Sequence, residues 1–430
     1  MVRRRKILRL FFKFWYGISK HQIPLRKSLK SYRGAIFLFL AICLFLNLNN
    51  IYAQPAPTLM QESQINSRGV WVSCFSVEQV LYSKEAALRL INFCKKVKIN
   101  EIYLQLYRAG QAYYNSRIAD RAKYEEIVRV AGQDTIDFLL KEAEKNGIKV
   151  FAWINVFSIG VNKKANILAK FGKSILTKDQ YLRISIRDEQ VNETDKYYLR
   201  DTQLFLEPGD PRVKEYIFSI VNEIITNYPK IKGIHLDYIR YPYPIPYLPN
   251  SRFNKYGLTY GYGEENIARF KEKTGLDPLT MKDEKDNYLI WDDWKRGQVT
   301  AMVEVISKQI KNKSDDLLVS CAVIPSPECA YSVAFQDWSL WLEKGFVDYV
   351  VIMNYTRDNR LAKERVASAI SHCGKGKIFV GVGAFLMSNE PELFLEQCKI
   401  ISVLKPHGIV FFSYDDISKE AEMIARVLSQ

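Results

Sequence analysis

Short runs of almost unbroken apolar residues alternate along this chain with longer stretches where apolar positions recur every three or four residues. Eight such runs stand out: 69–75 (GVWVSCF), 101–107 (EIYLQLY), 149–156 (KVFAWINV), 233–239 (GIHLDYI), 317–324 (LLVSCAVI), 347–355 (VDYVVIMNY), 377–385 (KIFVGVGAF) and 408–415 (GIVFFSYD). A strand covered on both faces reads this way, because neither side meets water. Most runs lead into an amphipathic pattern with helix boundary signals. In 134–147 (DTIDFLLKEAEKNG), Asp134 is placed to cap the first turn and Gly147 to end the helix. In 208–224 (PGDPRVKEYIFSIVNEI), Asp210 is the cap and Pro211 suits the first helical position. Further helices are predicted over 83–98, 264–274, 287–312, 390–404 and 417–429.

Eight strands alternating with helices predict an α/β chain closed into a (β/α)8 TIM barrel. An open doubly wound sheet is the runner-up. Against it, the first strand-to-helix turn, 73–85 (SCFSVEQVLYSKE), has no glycine fingerprint, and no GxxxxGK[ST] occurs. Two connections are long, about 157–210 after strand three and 242–285 after strand four. Both leave C-terminal strand ends, the face where barrel enzymes keep their sites. The second is rich in Tyr, Pro and Gly (YPYPIPYLPN, YGLTYGYG), which suits either an ordered loop offering aromatic faces or a plain irregular one.

Charge changes the picture only at the beginning of the chain. Residues 1–33 carry eleven Lys and Arg and no acid, and residues 34–53 carry no charge. Basic, then apolar, then a small residue before Gln54 is the order of a secretory signal. The expected division is therefore a signal peptide or N-terminal anchor over 1–53 and the barrel over 54–430. Of the net charge of +15, the eleven lead cations leave only +4, so the basic balance does not predict nucleic-acid binding. The seven cysteines show no CxxC or Cys/His ligand spacing and read mainly as buried thiols, with Cys321 and Cys329 near enough to pair. No metal and no cofactor is expected.

The strongest local signal is 232–242 (KGIHLDYIRYP), an apolar strand that ends on a carboxylate, an arginine and tyrosines. A buried aspartate is costly unless partnered. Arg240 is near enough to lower the pKa of Asp237 and keep it ionised, as a nucleophile or base requires. A purely structural Asp–Arg pair is the bland alternative.

Together with RGVWVS (68–73), QLYRAGQAYYNS (105–116), FAWIN (151–155), LEPGDPRVKEYI (206–217), DWKRGQV (293–299) and FFSYDDI (411–417), this block resembles the glycosyl hydrolase-like 10 family, which includes bacterial cell-wall glycan hydrolases. The resemblance spans nearly all of 68–420. It implies a barrel glycosidase working outside the cytoplasm, secreted or held in the cell envelope. The chain departs from the family pattern in two places. Tyr238 follows Asp237 where a second acid is common, and Gln111 stands where an acid is usual. Ile239 lies near the acid position of the chitinase-type signature, which argues against a substrate-assisted mechanism.

Glycoside cleavage normally takes two carboxyls. Asp237 is the first. Resemblance to barrels with an aspartate nucleophile on strand four and an acid on strand six favours Asp358 as the second; Asp415 follows, then Glu328 and Glu207. Aromatic faces and amide or guanidinium forks that could hold sugars fall near predicted C-terminal strand ends: Gln105, Tyr107, Arg108, Trp153, Asn155, Arg240, Tyr241, Asn354 and Tyr355. Trp71 reads as core. The expected activity is hydrolysis of an extracytoplasmic polysaccharide, peptidoglycan glycan strands included, by a monomer that meets a membrane only through its lead. The rival is a carbohydrate-binding barrel without catalysis.

Overall fold

The computed structural model describes residues 66–185, 203–242, 259–282 and 284–428. The predicted lead 1–53 and most of the Tyr/Pro-rich stretch after strand four lie outside the described residues. Eight parallel strands close on themselves: β1 (Ser67–Val72), β2 (Glu101–Arg108), β3 (Lys149–Asn155), β4 (Gly233–Asp237), β5 (Leu318–Val323), β6 (Tyr349–Asn354), β7 (Lys377–Gly383) and β8 (Gly408–Phe412). Each pairs with the next, and β8 returns to β1 through Ser67–Val70 against Gly408–Phe411. The predicted (β/α)8 TIM barrel is therefore the observed fold, with long connections after β3 and β4.

Alternation within each strand divides the core in two. One parity points at the helices: Val70, Leu104, Ile154, Leu236 and Val350 belong to a continuous apolar layer between sheet and helices. The other parity fills the barrel with Trp71, Tyr103, Phe151, Trp153, Tyr349, Val351, Phe379 and Val410. That interior is unusually aromatic, and it needs local relief. A Cβ on Gly381 would sit 2.8 Å from the Trp71 ring, so glycine at that position makes room for the indole. Polar atoms inside are paired. Trp71 Nε1 donates to His235 Nε2 at 3.1 Å, and His235 Nδ1 meets Ser320 Oγ at 2.9 Å. Burial drives the imidazole down to about 3, so it is neutral and Nδ1 carries the proton.

The boundary signals act as expected. The Asp134 side chain accepts from the Ile136 and Asp137 amides, and Asp210 accepts from Arg212 ahead of Pro211–Asn227. Gly147 sits just beyond Thr135–Lys145 with φ +68°. Helices at Ala122–Ala131 and Asn359–Ser371 went unpredicted. No disulfide joins Cys321 and Cys329. The described residues form one compact unit. A chain beginning at Gln54 is accordingly expected to be soluble and to melt in one cooperative transition, measured by calorimetry. Aggregation rescued only by restoring residues 1–53 would overturn this.

Candidate active site

A cleft of about 540 Å³ opens at the C-terminal end of the barrel, with Asp237 on its floor. Strand β4 ends on this residue in the same inward parity as His235, which is why the carboxylate rises from the barrel axis rather than into the helix layer. Its two oxygens are held separately. Oδ2 accepts from Trp153 Nε1 at 3.1 Å, and Oδ1 accepts from the Tyr238 amide at 2.7 Å. The second bond depends on Tyr238 taking φ +50°, a left-handed conformation that costs a non-glycine residue on the order of 1 kcal/mol.

The expectation that Arg240 dominates Asp237 needs correction. Burial pushes the Asp237 carboxyl above the ordinary carboxylate range; the Tyr238 amide, the Arg240 charge and the Trp153 N–H oppose that rise and do not cancel it. Arg240 itself is buried, donates to the Tyr241 carbonyl at 3.2 Å, and lies 4.8 Å from the Tyr238 ring centroid. Its effect on Asp237 is that of a neighbouring charge.

Of the residues expected to line a sugar site, Gln105, Arg108, Trp153, Asn155, Arg240 and Tyr355 surround the cleft together with Asp237. Gln105 accepts from the Cys74 amide at 3.4 Å and its Nε2 donates to Asn155 Oδ1 at 3.2 Å, which fixes both amides. Tyr355 packs against Phe412 with ring centroids 5.6 Å apart.

Five expected residues are elsewhere. Tyr107 is buried in the layer facing the helices, because the β2–β3 register slips between Gln105 and Tyr107 and inverts the parity. Tyr241 is fully buried and donates to Glu207 Oε1 at 2.7 Å. Asn354 is one residue out of phase with Tyr355 and donates to the Ala362 carbonyl at 3.3 Å. Asp358 is exposed and caps Asn359–Ser371, accepting from the Arg360 and Leu361 amides at 2.8 and 3.0 Å. Asp415 is taken up by the Ser76 hydroxyl and the Val77 amide. Neither aspartate lines the cleft, and among the described residues Asp237 is its one carboxylate. Of the two lesser acid candidates, Glu328 accepts from Ser326 at the surface and Glu207 is sealed in the core.

Sequence reading missed Phe75, Gln203, Tyr238, Met353 and Phe412, all of which line the cleft, and it assigned Trp71 to the core alone. For Trp71 and Phe412 the signal was available: both share the inward parity of their strands. No group of three or more His, Cys, Asp or Glu side chains suited to a metal occurs among the described residues.

A closed parallel barrel whose C-terminal mouth is a cleft of aromatic rings around a carboxylate is the architecture of barrel glycoside hydrolases. The chain belongs to the family described as Glycosyl hydrolase-like 10, whose profile matches residues 66–383. It is 24% identical over 401 residues to glycosyl hydrolase DigH of Escherichia coli (strain K12), covering 83% of each chain. Against glycosyl hydrolase YngK of Bacillus subtilis (strain 168) it is 21% identical over 401 residues, covering 83% of this chain and 70% of that one. Among solved structures, the β-galactosidase of the psychrophilic Marinomonas ef1 shares the fold with a TM-score of 0.52 at 12% identity, over 84% of this chain and 59% of that one.

Proposed function

We propose that the protein is a glycoside hydrolase that cleaves an extracytoplasmic polysaccharide, with peptidoglycan glycan strands among its substrates, and that Asp237 is the carboxylate that does the chemistry. The observation that carries this reading is the Asp237 environment: an aromatic-walled cleft, each carboxylate oxygen oriented by one donor, and a carboxyl raised by burial. A raised carboxyl is a stronger base once ionised. The remaining lone pairs of Oδ1 and Oδ2 are available to take a proton from water or to attack an anomeric carbon. Trp153 and Tyr355 offer ring faces to the apolar side of a sugar, while Gln105 and Asn155 offer amides to its hydroxyls. The lead over 1–53 would place this activity outside the cytoplasm, on a monomer.

The rival reading, a carbohydrate-binding barrel without catalysis, draws on a specific fact: no second carboxylate lines the described cleft. The deciding experiment incubates the purified protein and Asp237→Asn with a glycan panel that includes peptidoglycan strands, reading new reducing ends and, separately, binding. New ends from the native protein alone support hydrolysis. Binding by both without new ends supports the rival.

Trp153→Phe gives a second test. It removes a hydrogen bond to the ionised form, so the Asp237 carboxyl rises further. The acid limb of the kcat/KM profile is expected to move up by about half a unit to one unit. An unmoved limb would show that Asp237 does not govern it.

A further inference from the structure

We propose that Arg108 selects acidic glycans, its guanidinium receiving a carboxylate carried by a sugar of the bound chain. The inference rests on reading the cleft as a glycan site, and it names the chemical class that site prefers.

Among the described residues, two guanidinium groups and one carboxylate line the cleft. Asp237 is already answered by Trp153, by the Tyr238 amide and by the charge of Arg240. Arg240 is buried among rings, 4.8 Å from Tyr238 and 5.7 Å from Phe205. Arg108 stands apart: it is exposed on the rim, and among the described residues no carboxylate lies within ion-pair distance of it. Its close partner among the described residues is the Phe75 ring, 4.4 Å below the guanidinium carbon. Phe75 is 58% exposed, so ring and cation together present a free surface to the cleft.

The chain spends structure to hold this cation in place. The register slip that turns Tyr107 away brings Arg108 round to the cleft. Arg108 then pairs with Gln111 across a two-residue turn, with Ala109 at φ +53° and Gly110 at φ +72°. Both are left-handed, the geometry of a tight hairpin that matches strand twist. Asn162 Nδ2 braces the turn by donating to the Ala109 carbonyl at 2.9 Å. The fit leaves no slack, since a Cβ on Gly110 would lie 2.7 Å from Ala165 Cβ. An arginine stacked on an aromatic keeps its N–H edge free, and that planar fork matches the two oxygens of a carboxylate. A strictly neutral glycan would leave this positioned charge unused, and one fork balances one negative charge.

The test measures binding by calorimetry with the full-length protein, so it needs no turnover. The probes are peptide-free peptidoglycan glycan strands, whose alternate sugars carry a carboxyl, and the same strands with those carboxyls reduced to alcohols. The native protein is expected to bind the carboxylated strand about 10- to 100-fold more tightly, as one charge-assisted contact allows. Arg108→Gln should bind the two strands equally, having lost the preference for the carboxylated one. Arg108→Lys should keep part of the preference, because it keeps the charge but loses the fork. Equal native affinity for both strands overturns the proposal and leaves the glycan site standing. An Arg108→Gln variant weakened equally on both strands overturns it too. Binding of neither strand by the native protein overturns the proposal together with the glycan reading on which it rests.

Discussion

Asp237→Asn is expected to lower turnover by at least about 10²-fold while the melting temperature at pH 7 changes by no more than a few degrees. The activity term follows from the loss of the Asp237 carboxylate on the cleft floor. Two opposing terms govern stability. Asparagine has one acceptor oxygen for the two donors, Trp153 Nε1 and the Tyr238 amide, so one bond is lost. Against that, burial has raised the Asp237 carboxyl, so holding it ionised in the fold costs stability that the amide does not. That cost is present at neutral pH and disappears as pH falls below the range where the unfolded carboxyl titrates. The variant should therefore compare best with the native protein near pH 7 and lose ground toward pH 3, followed by calorimetry across that range. Retained turnover in the folded variant would make Asp237 structural. A large drop in melting temperature at pH 7 would point the same way.

The barrel was legible because each strand is buried on both faces, so its apolar run survives in one dimension. The eight observed strands fall inside the eight runs or overhang them by at most two residues. The site was only partly legible, and the reasons are local. Asn354 and Tyr355 cannot both face one cleft, since neighbouring strand residues point to opposite sides. Applying that alternation to every strand end would have removed Asn354 and admitted Trp71 and Phe412. Tyr107 could not have been excluded so, because a register slip inverts its parity and nothing in EIYLQLYR announces one. Asp358 was misjudged for a different reason. It precedes NRLAKERVASAIS, a helix by propensity, and an aspartate at that position is first of all an N-cap. Resemblance to barrels with an acid on strand six, applied without first asking what each helix start requires, made it the leading acid candidate. The positive φ of Tyr238, on which the Asp237 Oδ1 bond depends, leaves no trace in the sequence.

Glu207 separates a structural acid from a chemical one, and Glu207→Ala is expected to lower the melting temperature by on the order of 5 °C. The carboxylate is fully buried below the cleft wall. Oε1 accepts from the Tyr241 hydroxyl at 2.7 Å and from the Gly209 amide at 3.1 Å, and Oε2 accepts from the Gly263 amide at 3.2 Å. Those donors come from three places: the approach to helix Pro211–Asn227, the chain just after β4, and the start of helix Glu264–Thr274. A Cβ on Gly263 would meet Glu207 Cγ at 2.6 Å, so the contact is close-packed as well as polar. Alanine strands three buried donors and opens a void, a loss of about 3–5 kcal/mol. In a domain this long each kcal/mol moves the midpoint by only about one to two degrees. Glu207→Gln keeps the volume and one acceptor, and burial already disfavours the ionised acid, so its drop should be roughly half as large. Because Glu207 does not line the cleft, kcat/KM of the folded variants at 20 °C, well below the transition, should stay within about threefold of native. An unchanged melting temperature with turnover abolished would reverse the assignment. Glu207 would then be the second carboxyl that a glycosidase needs, reaching the cleft through a rearrangement of Tyr241.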